Sequence, residues 1–136
     1  MHFILEPHIG AISQNLSLEF GMKRDRVRSF FQLPPSIKPV EPENDFYESE
    51  GLILGYNSDD KLEYIEIIKP STAEFKKINF FVISLSDCLD KMKNLGFTAS
   101  FEDGGYNFES IGLAFYCPHD ILESVSLYQE GYYEDL

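Results

Sequence analysis

The clearest hydrophobic pattern in the chain predicts a helix over residues 84–95. Apolar residues recur there at spacings of three and four, which places them on one helix face: Leu85, Cys88, Leu89, Met92 and Leu95. Ser84 and Asp87 have the spacing of a capping box at a helix N-terminus. Gly96 stands where a left-handed residue commonly ends a helix. We expect Leu89 to be the centre of the buried stripe.

A second, more basic helix is predicted at about residues 22–32. Val27, Phe30 and Phe31 fall on one side of it, and Pro34 and Pro35 prevent it from continuing. Four bases occur within six residues: Lys23, Arg24, Arg26 and Arg28. The pattern favours a solvated face that pairs with acids of the same molecule. The alternative is a nucleic-acid-binding patch.

Alternation of apolar with polar or small residues predicts short strands elsewhere. It occurs in residues 52–55, 64–67, 111–116 and 124–128, with turn residues at 57–60 and 118–120. Strands are also predicted before each helix, near residues 16–20 and 75–82. Gly104 and Gly105 indicate a hairpin turn. Residues 33–44 contain four prolines and are predicted to form a loop.

The predicted elements repeat at an offset of about 60 residues. Gly51 aligns with Gly112, and Ile67 aligns with Leu127. Charge alternates with the same period: residues 1–39 and 69–98 each carry a net charge of +2, whereas residues 40–68 and 99–136 each carry −8. We therefore predict one α+β domain over residues 1–136, built from two similar strand-helix-meander halves. The halves, approximately residues 1–70 and 71–136, are expected to form a curved antiparallel sheet with the helices packed on one face.

The overall charge limits the kinds of partner that the protein can bind. The 136 residues include 23 acidic and 11 basic side chains, which gives a net charge of −12. Such a surface disfavours binding to nucleic acid and to anionic membranes, since both depend on cationic side chains. It attracts a basic partner, although acidity that serves only solubility is an alternative. No apolar run approaches the length of a membrane-spanning helix, and residues 1–6 lack the pattern expected of a signal peptide, so we expect a cytoplasmic protein.

No pattern of reactive residues points to an enzyme or a metal site. Cys117, His119 and Asp120 form a small cluster, but they lack the four ligands of a structural zinc site. A reactive thiolate needs a positive environment, and residues 99–136 contain no Lys or Arg to provide one. We expect no catalytic residue, no metal and no cofactor.

Short motifs resemble small immunity proteins of bacterial polymorphic-toxin and contact-dependent growth inhibition systems. The motifs are the strand-to-helix entry over residues 16–27 with Gly21-Met22, the segment Glu6–Gly10 and the tail over residues 129–134. The resemblance implies a small, acidic, non-enzymatic protein that binds the toxin domain of its own system, commonly a nuclease. A Gly-Met helix entry also occurs in β-lactamase-inhibitor-like domains and in small lipoproteins of outer-membrane assembly.

Charge and resemblance together predict an immunity protein that covers the active site of a basic nuclease toxin. The expected interface consists of acidic and tyrosine residues of the meanders: Asp59, Asp60, Glu63, Tyr64, Glu66, Glu102, Asp103, Tyr116, Asp120, Glu123 and Tyr128. The repeat suggests that the turns at Asp59-Asp60 and at His119-Asp120 lie on the same edge of the sheet. The alternative is a small-ligand-binding or scaffolding module of bacterial metabolism. A further alternative is that these acids only solubilise sheet edges.

Overall fold

A computed structural model describes residues 1–36 and 44–132 of the chain. It contains twelve strands and two α-helices in these residues. In chain order they are β1 His2–Glu6, β2 Gly10–Ser13, β3 Leu16–Glu19, α1 Arg24–Arg28, β4 Asn44–Tyr47, β5 Leu52–Tyr56, β6 Leu62–Ile68, β7 Thr72–Phe75, β8 Ile78–Asn79, α2 Leu85–Asn94, β9 Ser100–Glu102, β10 Gly105–Phe108, β11 Leu113–Tyr116 and β12 Ser124–Tyr128. No helix among the described residues is long and apolar enough to cross a membrane.

The strands form two sheets that share one hydrophobic core. One sheet has five strands in the order β3-β2-β1-β7-β8, and the other has seven in the order β4-β5-β6-β12-β11-β10-β9. Every named strand pair is antiparallel except β1 with β7. Both sheets contribute fully buried side chains to the core, and Phe80 contacts Phe115 with ring centroids 4.9 Å apart. The mixed α+β class that the sequence predicts is therefore confirmed.

A single curved sheet with helices on one face is not what the structure shows. The difference comes from β1, a strand that the pattern analysis did not identify. It is the central strand of the five-stranded sheet, where it pairs with β2 on one side and with β7 on the other. Phe3 and Leu5 face the core from β1, whereas the exposed Ile4 between them hides the apolar-polar alternation.

The helix predicted at residues 84–95 is confirmed. The Ser84 hydroxyl accepts a hydrogen bond of 3.0 Å from the Asp87 backbone N–H, and Gly96 has a φ of +92° just after the helix. The centre of its buried face differs from the expectation. Cys88 and Met92 are fully buried, whereas Leu89 is only partly buried. The buried face of the helix is therefore centred on Cys88 and Met92 and not on Leu89.

The predicted first helix is much shorter than expected. It ends at Arg28, after five residues. The Ser29 hydroxyl donates to the Arg26 carbonyl, and the backbone N–H groups of Phe30 and Phe31 bond three residues back. These bonds replace the α-helical ladder with tighter turns.

The strand predicted at residues 75–82 is broken by a hairpin. Lys76 and Lys77 both have positive φ and form a two-residue turn between β7 and β8. Two lysines are unusual in such a turn, so the sequence carried little signal for it. The hairpin predicted at Gly104-Gly105 is present, with Asp103 and Gly104 as its turn residues.

One other strand prediction differs at its start. Residues 109–111 form a 3-10 turn, so β11 begins at Leu113 and not at Ile111. Residues 37–43 of the predicted proline-rich loop lie outside the described residues, as do Tyr133 and Glu134 of the tail motif.

Candidate functional site

A groove of about 670 Å³ crosses the outer face of the seven-stranded sheet. Its floor follows one row of cross-strand neighbours in which Glu66 pairs with Ser126, Ser126 with Ala114, and Ala114 with Asn107. Ser126 and Ala114 are small, whereas tyrosines occupy neighbouring positions on the same face. The groove therefore results from small residues in the middle of a sheet face that carries large ones.

In a second row of the floor, the backbones of two neighbouring strands approach so closely that one position has no room for a side chain. It contains Ser124, Tyr116, Gly105 and Glu102, which are successive cross-strand neighbours. A Cβ atom on Gly105 would lie 2.6 Å from the Phe115 carbonyl oxygen. Only glycine fits at this position without a shift of the backbone.

Tyr64 lines the groove, and Tyr64 and the adjacent Tyr128 hold polar groups of its floor in place. The Tyr64 hydroxyl donates to Glu66 Oε1 at 2.7 Å, and the Tyr128 hydroxyl donates to Asn107 Oδ1 at 2.6 Å. Tyr132 stacks on Tyr64 with ring centroids 5.4 Å apart, and its ring is tilted against that of Tyr128 at a centroid distance of 6.0 Å. Because these contacts already fix the rings, a ligand that binds beside them loses little affinity to the ordering of side chains.

The groove is negatively charged throughout. Among the residues that the structure describes, its lining includes four carboxylates and no Lys or Arg: Glu66, Glu102, Asp103 and Glu109. The acidity extends over the whole seven-stranded sheet and its connections, residues 44–68 and 99–132, which we call the acidic layer. This layer carries 13 acidic residues and one basic residue, whereas residues 1–36 and 69–98 carry six acidic and nine basic residues. The charge of the molecule is therefore strongly polarised.

The basic residues of α1 are partly used inside the molecule. Arg28 Nε and Nη2 donate to the two carboxylate oxygens of Asp45 at 2.8 and 2.7 Å, and Asp45 is almost fully buried. Arg24 Nε lies 3.1 Å from Asp60 Oδ1, and its guanidinium is 4.3 Å from the Tyr56 ring centroid. The favoured prediction, pairing with acids of the same molecule, is confirmed for these two arginines.

The cysteines and histidines do not form a reactive or metal-binding site among the described residues. No group of three or more His, Cys, Asp or Glu there could hold a metal ion. Burial, with a smaller effect of Asp120, raises the pKa of the Cys117 thiol, and burial raises that of Cys88 to about 11. His8 Nε2 donates to the Ser110 carbonyl at 3.0 Å, a structural link between two turns.

The groove brings together five of the eleven residues predicted for the interface: Tyr64, Glu66, Glu102, Asp103 and Tyr116. Tyr128 is buried beside the groove, and its hydroxyl donates a hydrogen bond to the lining residue Asn107. The remaining five do not line it: Asp59, Asp60, Glu63, Asp120 and Glu123. The main residues that sequence analysis missed are Ser124, Ser126, Asn107 and Gly105. The sequence signal that could have identified them is the occurrence of small residues on the polar face of strands with apolar-polar alternation.

The two acidic turns do not lie on the same edge of the sheet, so that prediction is wrong. The turn at residues 57–60 precedes β6, and the turn at residues 118–120 precedes β12. Because β6 and β12 are antiparallel neighbours, with Tyr64 opposite Tyr128 and Ile68 opposite Ser124, their starting ends point in opposite directions. The turns are therefore at opposite ends of the central strand pair.

Comparison of this chain with protein-family models, with curated proteins and with solved structures finds no match.

Buried thiol and phenol groups predict that the fold loses stability at alkaline pH. Burial raises the pKa of Cys88 from 9.0 to about 11 and that of Tyr47 from 10.0 to about 12. The unfolded chain releases these protons first, so the stability that they contribute is complete below pH 9 and is lost as the pH rises to about 12. Urea unfolding at several pH values between 8 and 12 measures this. The double variant Cys88→Ala/Tyr47→Phe should show a flatter dependence, and an equally steep one would contradict the assignment.

Proposed function

We propose that this protein binds and neutralises a basic protein partner through the groove side of its acidic layer. In biological terms it is a cytoplasmic, non-enzymatic immunity protein of a bacterial toxin system, and its partner is the cognate toxin domain, a basic nuclease. The observation that carries the proposal is the segregation of charge. The acidic layer carries thirteen acids and a single base, and it contains an open groove lined by tyrosines and four of these acids.

The chemistry of a nuclease explains why such a face would inhibit it. A nuclease must hold a polyanion, so its active-site cleft is lined with Lys and Arg. Carboxylates form charge-assisted hydrogen bonds with those side chains. Rigid tyrosines add contact area at low entropic cost. A protein that presents both occupies the cleft and excludes the nucleic acid, which the same acidic face repels.

The two-half organisation is part of the proposal and is supported by the order of the strands. In the seven-stranded sheet β6 and β12 are central, β5 and β11 flank them, and β4 and β10 follow on each side. The pairs β4/β10, β5/β11 and β6/β12 are each about 60 residues apart in the chain. On this account the groove lies off centre, mostly on strands of the second half, because Ser126 and Ala114 are small there.

A small cationic ligand is the second candidate, and the size of the groove favours it. Its volume of about 670 Å³ falls within the range of about 300–1,000 Å³ that is common for small-molecule sites. Native mass spectrometry of the protein purified from its host separates the two candidates. A bound small cation would support the second candidate, and a bound basic polypeptide would support the first.

Capture from a host lysate tests the first candidate with variants of equal net charge. The groove variant Glu66→Lys/Glu102→Lys and the turn variant Asp59→Lys/Glu123→Lys each change the net charge from −12 to −8. We expect the wild type and the turn variant to retain a basic polypeptide with nucleic-acid-cleaving activity that the groove variant loses. Retention of no basic polypeptide by the wild type, or equal retention by all three, would overturn the proposal.

Association with the partner is expected to depend strongly on salt. Opposite charges steer the encounter, and this effect is screened over about 10 Å at 0.1 M ionic strength. The association rate constant should fall by about tenfold or more between about 0.02 M and about 0.5 M salt. Stopped-flow measurements with the captured partner test this. A rate constant unchanged over that range would remove the electrostatic part of the proposal.

A further inference from the structure

We propose that the groove binds the guanidinium group of an arginine side chain that the partner inserts. This inference rests on the proposed function and names the chemical group that anchors the partner. Three features of the groove support it, namely the hydroxyl groups of its floor, its carboxylates and the exposed ring of Tyr116.

Two serine hydroxyl groups at the floor lack a hydrogen-bond partner within the described residues but remain open to the groove. Ser124 and Ser126 are only 3% and 8% exposed, and both line the groove. No side-chain hydrogen bond joins either of them to another described residue. A ligand that covers such a hydroxyl displaces its water, which costs free energy unless the ligand supplies a new hydrogen-bond partner. The floor therefore favours a ligand that brings its own hydrogen-bonding groups into the groove.

The neighbouring groups are acceptors, so the ligand should be a donor. Glu66 is the cross-strand neighbour of Ser126, which places the two side chains about 5 Å apart at their Cβ atoms. The Tyr64 hydroxyl donates to Glu66 Oε1 and holds the carboxylate in place. No Lys or Arg of residues 1–36 and 44–132 lines the groove, so within this part of the chain no cation competes for its carboxylates. A cation with several N–H groups fits this arrangement.

Arginine fits better than lysine because of the shape of its charged group. A guanidinium is planar, presents five N–H donors and stacks on aromatic faces, whereas an ammonium is a strongly hydrated point charge. Tyr116 is 49% exposed and is the cross-strand neighbour of Ser124, so a ring stands beside the floor hydroxyls. The chain already uses this pairing elsewhere, where Arg24 lies over the Tyr56 ring.

Two short peptides test the inference without requiring the natural partner. N-acetyl-Gly-Arg-Gly-amide carries the guanidinium, and N-acetyl-Gly-citrulline-Gly-amide has nearly the same shape without the charge. Each is titrated into the isotope-labelled full chain at low salt and followed by backbone amide NMR shifts. We expect the arginine peptide to shift the signals of Glu66, Asn107, Ser124 and Ser126. The citrulline peptide should cause no shift at the same concentrations.

Variants at the floor sharpen the test. Glu66→Gln keeps an acceptor for Tyr64 but removes the charge, and it should weaken binding of the arginine peptide by about tenfold. Ser126→Leu fills the floor and should abolish the shifts. Glu123→Gln, an exposed residue that does not line the groove, should leave the affinity unchanged. If Ser126→Leu does not fold, the comparison of Glu66→Gln with Glu123→Gln still decides.

Failure of this inference can be distinguished from failure of the proposed function. Shifts outside the groove, equal binding of citrulline, or an unchanged affinity in Glu66→Gln would overturn the arginine site. A captured basic partner that is insensitive to Glu66→Gln and Ser126→Leu would also overturn it, while an acidic-layer interface would stand. Absence of any basic partner would overturn the proposed function and leave the peptide result to decide the arginine site alone.

Discussion

Arg28→Met is expected to lower the free energy of unfolding by about 2–4 kcal/mol. The substitution removes both hydrogen bonds to Asp45, whose side chain is only 4% exposed, and leaves a buried carboxylate without its counterion. The Arg28 side chain is 42% exposed, so water screens part of the interaction and the cost should not exceed that range. Urea denaturation followed by circular dichroism measures the change.

Arg26→Met is the matched control, since Arg26 lies on the same helix and is exposed. It should change the free energy of unfolding by less than about 0.5 kcal/mol. The double variant Arg28→Met/Asp45→Leu should recover part of the loss, because no buried charge is left unpaired. Equal effects of Arg26→Met and Arg28→Met would show that the Arg28–Asp45 pair does not stabilise the fold.

Reversing charge in the groove is expected to weaken partner binding by at least about 2 kcal/mol, or roughly thirtyfold. Glu66→Lys/Glu102→Lys places two cations where the proposal expects cations of the partner. Both effects of the change, lost attraction and new repulsion, act on the dissociation constant. Isothermal titration calorimetry with the captured partner measures it, and thermal unfolding of the variant checks that the fold persists.

Asp59→Lys/Glu123→Lys is the control for this effect, because it changes the net charge equally outside the groove. It should slow association but raise the dissociation constant by less than about fivefold, since exposed charges at the rim contribute mainly to the encounter. A larger effect of this variant than of the groove variant would move the interface to the acidic turns.

The polar face of the meanders could be predicted from the sequence, because alternation along a strand is local. Ser124 and Ser126 alternate with Val125 and Leu127, and the structure places the two kinds of residue on opposite sides of β12. The pairing of β12 with β6 is not local. It determines which turns lie near each other and brings Glu66 beside Ser126.

The ion pairs of α1 show a second limit of sequence analysis. Four bases in six residues suggested a charged helix face, but not which of them would find a buried acid. Asp45 directly follows the proline-rich segment of residues 33–44, and its burial depends on the β4–β5 pairing and on the placement of α1. The prediction of intramolecular pairing is therefore confirmed for Arg28, but the burial of its partner Asp45 could not be predicted.

The unpredicted strand β1 shows a third limit. Its exposed Ile4 interrupts the alternation that marks a half-buried strand, and Ile12 of β2 is its cross-strand neighbour on the same outer face. Apolar residues on both faces remove the periodic signal. Only the tertiary arrangement, with β1 between β2 and β7, shows that Phe3 and Leu5 face the core.

The most direct test of the proposed function is a growth measurement in bacteria that express the captured partner from an inducible promoter. The proposal predicts that the partner alone arrests growth, that co-expression of this protein restores it, and that the groove variant Glu66→Lys/Glu102→Lys fails to do so at equal protein levels. Restoration by the turn variant Asp59→Lys/Glu123→Lys is expected. A partner that does not arrest growth, or full protection by the groove variant, would contradict the proposal.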